Sequence, residues 1–354
     1  MTDAVRLSLD EVRDLATRVL VTRGFSDAQA LAVATTVTAA ERDGCTSHGL
    51  FRIPFYVAAL GNEAVDARAE PVVATDDSAV VHVDGALGFC PLALERGLPA
   101  LAERARRHGI AALAIHDVYN IAALWPEVER LAGEGLVAFA FTASNACVAP
   151  AGGTKPVYGT NPMAFGWPRA DRPPMVFDQA SSACARGEIQ LHLRAGEPLP
   201  EGWAIDERGE PTTDPATALA GAQLPFGGHK GAAIALMVEL LAGALIGDLF
   251  SAESKARDTA KTGAPFGGEY LIAIDPTRHA RAAPVPRGPA GGHLERAEGL
   301  FAEVLSQDGT RLPSDRRYAA RERSVVDGVE VQGELHARLT ELAGSPAAGT
   351  GPGA

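Results

Sequence analysis

Four short stretches of this chain carry polar residues that packing alone does not demand. The first runs Glu41-Arg42-Asp43-Gly44-Cys45-Thr46-Ser47-His48-Gly49 and continues to Arg52. With Thr46 or Ser47 as a cap, His48 falls in the first turn of a following helix, where the helix dipole disfavours imidazolium. A carboxylate partner would offset that and hold the imidazole near neutrality, as a general acid requires. Arg52 lies one turn on, on the same face, and offers a planar fork for a carboxylate. A capping serine, a surface histidine and a solvated arginine account equally well for this stretch taken alone. The second stretch, Gly159-Thr160-Asn161-Pro162, is a tight turn that exposes a hydroxyl and backbone N–H groups to an anion or polar substrate atom, or a plain loop between strands.

The third stretch runs Phe177-Asp178-Gln179-Ala180-Ser181-Ser182 and on to Ala185-Arg186-Gly187-Glu188. Small residues there would let a cofactor approach the backbone while Glu188 orients a histidine; the alternative is a helix cap at Asp178 or Ser181 plus a surface ion pair. The fourth is Pro225-Phe226-Gly227-Gly228-His229-Lys230-Gly231, leading into the most apolar segment of the chain. A lysine among glycines at a helix N-terminus suits a phosphate or carboxylate, and it stands out because only Lys155, Lys230, Lys255 and Lys261 occur. His82, His108, His192, His279 and His336 sit singly, and Trp125, Trp167 and Trp203 read as packing residues.

The usual fingerprints are missing. No G-x-G-x-x-G follows a strand, and there is no P-loop, no G-x-S-x-G and no H-E-x-x-H. Any nucleotide site must therefore be built another way. Four separated cysteines (Cys45, Cys90, Cys147, Cys184) offer no zinc spacing, so no metal is expected. A formal net charge of −12 without a basic block argues against nucleic acid as a partner. The start, MTDAVRLSLDEVRD, lacks an apolar signal region, and Glu239 and Asp248 interrupt the apolar run 231–250. The expectation is a cytoplasmic protein without a membrane span, its apolar run a buried core helix.

These residues need elements to position them. Ser8 and Ser26 each open a Ser-x-x-Glu/Gln capping box, predicting two helices within the first 42 residues, with Val12, Leu15, Val19, Leu20, Leu31, Val33, Val37 and Ala40 on their apolar faces. A third helix is predicted from Gly49 to Leu60. From Val72 onward VVAT, AVVHVDG, IAALAIHD, LVAFAFTAS, MAFGWP, PMVFDQA and EYLIAIDP read as strands, interrupted by helices over 91–107 and after Lys230. Residues 293–308 and 333–343 read as helical. The predicted class is α+β. Its parts are a helical domain (1–75), a β-rich domain (76–290), C-terminal helices returning to the first domain (291–343) and a disordered tail (344–354).

Taken together, Asp43 to Arg52, Gly159 to Gly166, Phe177 to Ser181 and Gly227 to Gly231 resemble the malate/L-lactate dehydrogenase family that lacks a Rossmann fold. Ala122-Ala123-Leu124-Trp125-Pro126-Glu127-Val128-Glu129, Ala185 to Gln190 and Leu312-Pro313-Ser314-Asp315-Arg316-Arg317 resemble its cyclic-imine branch, the Δ1-piperideine-2-carboxylate/Δ1-pyrroline-2-carboxylate reductases. The resemblance spans roughly residues 8–330 in the same order. It implies a homodimeric reductase using NADPH, or else NADH, on a largely antiparallel sheet domain set against helices from both chain ends. It implies a small anionic substrate, a cyclic 2-imino acid. His48 would be the proton donor, with Ser47 and Glu188 in relay, and Arg52, Thr160, Arg186 and Gly187 would hold the substrate. Val118, Tyr119, Asn120, Ile121, Ala122, Asp178, Gln179, Ala180, His229 and Lys230 would border the cofactor, with Gly292, His293 and Glu295 closing over it. A 2-hydroxy-acid dehydrogenase and a catalytically altered binding protein are the alternatives. The branch has Ser-His-His-Phe where this chain has Val118-Tyr119-Asn120-Ile121, and commonly Tyr at His229; both departures imply a specialised substrate.

Overall fold

All seven β-rich runs become strands, and all seven join one sheet. The computed structural model describes residues 4–62, 64–74, 76–279 and 292–344. Across the sheet the order is Val72–Val73, Val80–Asp84, Ile110–Tyr119, Phe266–Ile274, Val137–Thr142, Met163–Trp167 and Met175–Gln179. Every neighbouring pair is antiparallel except Val80–Asp84 with Ile110–Tyr119. A parallel pair needs a long crossover, and helix Cys90–His108 supplies it, ending where Gly109 takes the left-handed conformation (φ 86°) that a side chain resists. The latest strand in sequence, Phe266–Ile274, lies in the centre. Leu271 and Ala273 pack there with Leu113, Ile115, Ala138 and Ala140, all almost fully buried.

A second core gathers helices Leu9–Thr22, Asp27–Arg42, Ile53–Ala59 and Gly333–Gly344. The two ends of the described chain meet here, because Val5–Leu7 pairs antiparallel with Val329–Val331. The predicted helical spacing holds for Val12, Leu15, Val19, Leu20, Val33, Val37 and Ala40, whereas Leu31 faces outward at 52% exposure. Ser8 forms the full capping box with Glu11. Ser26 caps its helix too, but the Gln29 side chain leaves it for Ala69 O (3.0 Å) and Phe89 N (3.3 Å), tying the helix to other segments.

Other expectations need correction. The helix predicted over 49–60 is α-helical only over Ile53–Ala59; two 3₁₀ turns, Thr46–His48 and Leu50–Arg52, precede it, and Pro54 marks the true start. Helices Trp125–Gly133, Arg186–Ala195, Pro215–Ala220, Ser251–Arg257 and Asp315–Asp327 appear where none was read, and Ala204–Ile205, Pro211–Thr212 and Ala222–Gln223 form a small separate sheet. These elements are short or polar, so periodicity had little to show. The apolar segment forms helix His229–Glu239 and a π-turn Leu240–Ala244, but it is not simply buried: Leu236, Leu240 and Leu245 are about half exposed. Of the expected tail, Gly344 closes a helix and 345–354 lie outside the described residues. No helix among the described residues is long and apolar enough to cross a membrane.

Candidate active site

Helix Asp27–Arg42 ends at the double 3₁₀ turn, and that turn presents both His48 and Arg52 to one cavity of about 680 Å³. Ser47 Oγ lies 3.1 Å from His48 Nδ1. Arg52 Nε donates to Ser47 O at 2.7 Å, and its guanidinium lies against the Phe51 and Phe55 rings. Neither Thr46 nor Ser47 caps a helix; Cys45 holds the cap position without a side-chain bond. Among the described residues no carboxylate pairs with Arg52.

Burial, and then the charge of Arg52, push the His48 imidazole down to about 4. The expected carboxylate partner does not stand beside it. Glu188 is exposed on helix Arg186–Ala195, whose other face carries Arg186, Gly187 and Gln190 into the cavity wall. His48 is thus neutral in the ligand-free protein, with Arg52 rather than a carboxylate as its charged neighbour.

The cavity also collects Thr160, Asn120, Ile121, Ala122, Asp178, Gln179 and Ala180 from the expected set. Thr160 is fixed by Ser144, whose Oγ accepts from Thr160 N (2.9 Å) and lies 3.1 Å from Thr160 Oγ1. Asn120 donates to Glu269 Oε2 (2.6 Å) and accepts from Ala122 N (3.1 Å), which orients its amide. Asp178 proves to be a helix cap after all, but for another helix: its Oδ2 accepts from Leu124 N (2.8 Å) and Trp125 N (3.1 Å) at the start of Trp125–Gly133. Burial pushes its carboxyl up to about 6 against the pull of those two bonds and of Arg317.

Several expected residues lie elsewhere. Val118 and Tyr119 end strand Ile110–Tyr119 with their side chains buried, the Tyr119 ring packed on Phe89 and Phe266. Two of the four departures at 118–121 therefore serve packing, and their side chains give no support to a specialised substrate. His229 and Lys230 are exposed and do not line the cavity, although their loop lies alongside it through Phe226 N to Ser181 O (3.0 Å). Gly292, His293 and Glu295 do not line it either; helix His293–Leu305 is tied by Glu298 to Arg169 (2.6 Å), beyond the end of strand Met163–Trp167.

Other lining residues were not placed there from sequence. Arg316 and Arg317 reach the cavity from the start of helix Asp315–Asp327, and Arg311 from the segment that precedes it. Arg317 stacks on Trp125 (5.1 Å), donates to Val176 O (3.1 Å), and keeps Nη1 buried without a partner. Trp125, expected only to pack, thus forms part of the cavity wall. The adjacent arginines within Leu312–Arg317 were the available signal, but more than 250 residues from His48 no local rule could place them. Arg321, one turn on, anchors this helix through Asp43 (2.6 Å) and Glu129 (2.6 Å).

The match to known proteins covers nearly the whole chain. The malate/L-lactate dehydrogenase family model matches residues 7–340. The Δ1-pyrroline-2-carboxylate/Δ1-piperideine-2-carboxylate reductase of Pseudomonas aeruginosa is 55% identical over 338 residues, 96% of this chain and 99% of the relative. The Δ1-pyrroline-2-carboxylate reductase of Ancylobacter novellus is 51% identical over 342 residues, 97% and 98% of the two chains. The crystal structure of Δ1-piperideine-2-carboxylate reductase from Pseudomonas syringae pv. tomato superposes with a TM-score of 0.88 at 42% identity, covering 96% of this chain and 99% of that one.

Proposed function

The chain belongs to the malate/L-lactate dehydrogenase family, and we propose that it reduces a cyclic 2-imino acid of the Δ1-piperideine-2-carboxylate or Δ1-pyrroline-2-carboxylate type to the cyclic amino acid. The observation that carries this reading to the residues is the pairing of His48 and Arg52 on successive turns facing one cavity. As an oxidoreductase of this family it uses a nicotinamide cofactor, which when bound supplies a hydride to the C=N carbon. The residues fit such a group: the cavity is walled by arginines and by apolar side chains, and Arg317 Nη1 is a buried donor with its bonding capacity unused.

Arg52 would take the substrate carboxylate on its fork, leaving the ring between His48 and the wall formed by Asn120, Asp178 and Gln179. An imine that becomes an amine gains one hydride at carbon and one proton at nitrogen, and in this reading His48 delivers that proton. Burial is the larger cause of its low pKa and the Arg52 charge the smaller; a substrate carboxylate on Arg52 would offset the second and so move the imidazole upward. Ser47 Oγ holds Nδ1 and so fixes the ring. Thr160, Arg186 and Gly187 would complete the substrate contacts, with Asn120, Ile121, Ala122, Asp178, Gln179 and Ala180 along the cofactor.

NADPH is the form we assign, supported by Arg311 and Arg316, which line the cavity and pair with no carboxylate among the described residues. A second copy of the chain is assigned to the exposed face of Leu236, Leu240 and Leu245. Four free cysteines support a reducing, cytoplasmic setting. A steady-state screen of both cofactors against cyclic 2-imino acids and 2-keto acids tests the reading. Turnover confined to 2-keto acids would replace it with a 2-hydroxy-acid dehydrogenase; no turnover and no NAD(P)H binding would leave a binding protein.

A further inference from the structure

We propose that Glu41, which none of the proposed chemistry uses, is the positioning residue that sets His48 and Arg52 relative to one another; this rests on the reading of those two as proton donor and carboxylate anchor. Glu41 lies in the last turn of helix Asp27–Arg42 and is 4% exposed. Its Oε1 accepts from Leu50 N at 2.7 Å. Leu50 is fully buried and its amide sits at the junction of the two 3₁₀ turns. Around that junction the backbone bonds are short-range: His48 N to Cys45 O, Gly49 N to Thr46 O and Arg52 N to Gly49 O. Such turns are weak alone, and a buried amide at their joint must find a partner. One further bond, Arg52 Nε to Ser47 O at 2.7 Å, crosses between the turns at the surface; from the buried side Glu41 holds the first turn, with His48, and the second, with Arg52, at one fixed angle.

Gly49 records how close this approach is. A Cβ there would come to 2.1 Å from Glu41 Oε1 and 2.5 Å from its carboxyl carbon. A side chain at 49 would therefore push the Glu41 carboxyl off the Leu50 amide. Burial pushes Glu41 up to about 7 while the Leu50 bond pulls it down. The carbonyl oxygen of the neutral acid accepts the Leu50 N–H as the carboxylate does, so the bond survives either state and a glutamine can replace it.

The test compares wild type, Glu41→Gln, Glu41→Ala and Gly49→Ala by kinetics per folded molecule, by NAD(P)H fluorescence titration and by NMR titration of the His48 ring. Expected is retention of most activity in Glu41→Gln. In Glu41→Ala and Gly49→Ala we expect a loss on the order of 10²-fold in kcat/KM, because ångström misplacement of reacting groups has that effect. The loss should show in both kcat and KM with cofactor binding unchanged, and His48 should titrate closer to its ordinary value in the two alanine variants. If Glu41→Ala keeps kcat/KM within about twofold of wild type per folded molecule and leaves the His48 titration in place, the positioning role is overturned. The ring titration needs no substrate, so it decides the proposal even where wild type turns over nothing in the screen and the proposed reaction itself fails.

Discussion

The two layers of the cavity wall are opposite in charge and in fate. In front, Arg52, Arg186, Arg311, Arg316 and Arg317 face the space a ligand would fill. Behind it, Glu127 and Glu269 are almost fully buried, while Asp178, in the wall itself, is held against the backbone amides of a helix start. Burial raises Glu127 well above the ordinary carboxylate range and pushes Glu269 to about 7 and Asp178 to about 6. A guanidinium does not give up its proton in proteins, so the front layer is cationic even where Arg52 is partly buried; the carboxyls behind it give up part of their charge to desolvation. A chain with formal net charge −12 can therefore present a cationic cavity. Net charge speaks to solubility and partners at long range, whereas the potential inside a cleft depends on which side chains are turned into it.

The strongest break in this contrast comes from its one proton carrier. His48→Ala should lower kcat by about 10²–10⁴-fold, the usual worth of a positioned acid, with NAD(P)H binding retained in a fluorescence titration. Retained turnover would remove His48 from the chemistry. Arg52→Ala should raise KM for the imino acid by roughly 10–100-fold, reflecting a lost charge-assisted pair of hydrogen bonds, and Arg52→Lys should recover only part of it. Unchanged KM would place the substrate carboxylate elsewhere.

The outer arginines sharpen the cofactor end. Arg311→Ala and Arg316→Ala together should cut the NADPH-to-NADH ratio of kcat/KM by about tenfold while NADH kinetics stay close to wild type. An equal loss with both cofactors would mean that these arginines do not read the extra phosphate.

The rear layer is tested by stability. Glu269 of that layer, Asp178 in the wall and Glu41 beneath the 3₁₀ turns ionise in the unfolded chain near their ordinary values of 4.5, 3.8 and 4.5, but in the fold at about 7, 6 and 7. Between those limits the native state holds more protons, so unfolding free energy should fall as pH rises from about 4 to 7 and level off above. Asp43 acts in the opposite sense: burial would raise it, but Arg321 and Arg42 prevail and hold it below 3.8, so its contribution is lost only under more acid conditions. Urea midpoints across this pH range measure the trend, and Glu269→Gln should flatten it. Midpoints that rise with pH from 4 to 7 would contradict the neutral rear layer.

Much of the fold was written in local pattern. Alternation and turn residues located all seven strands of the sheet, and serine caps placed the first two helices. They did not show that Phe266–Ile274 inserts between Ile110–Tyr119 and Val137–Thr142, because strand order is decided by long-range pairing. The site divided along the same line. Ser47, His48 and Arg52 are neighbours on the chain, and their spacing alone put them together. Lys230 looked stronger by scarcity and by its glycines, yet its side chain stays outside the cavity, since sequence gives a loop's composition but not its orientation.

The sequence by itself determined the family, the β-rich segments and the closeness of Ser47, His48 and Arg52, all set by residue type and short spacing. The tertiary structure alone decided that Glu188 turns away from His48, that Tyr119 packs in the core, and that Arg311, Arg316 and Arg317 arrive from the far end of the chain. The reason is physical: local spacing fixes which residues share a turn, but which side chains share a cavity depends on how two separate cores bury their apolar faces, and only the folded chain settles that.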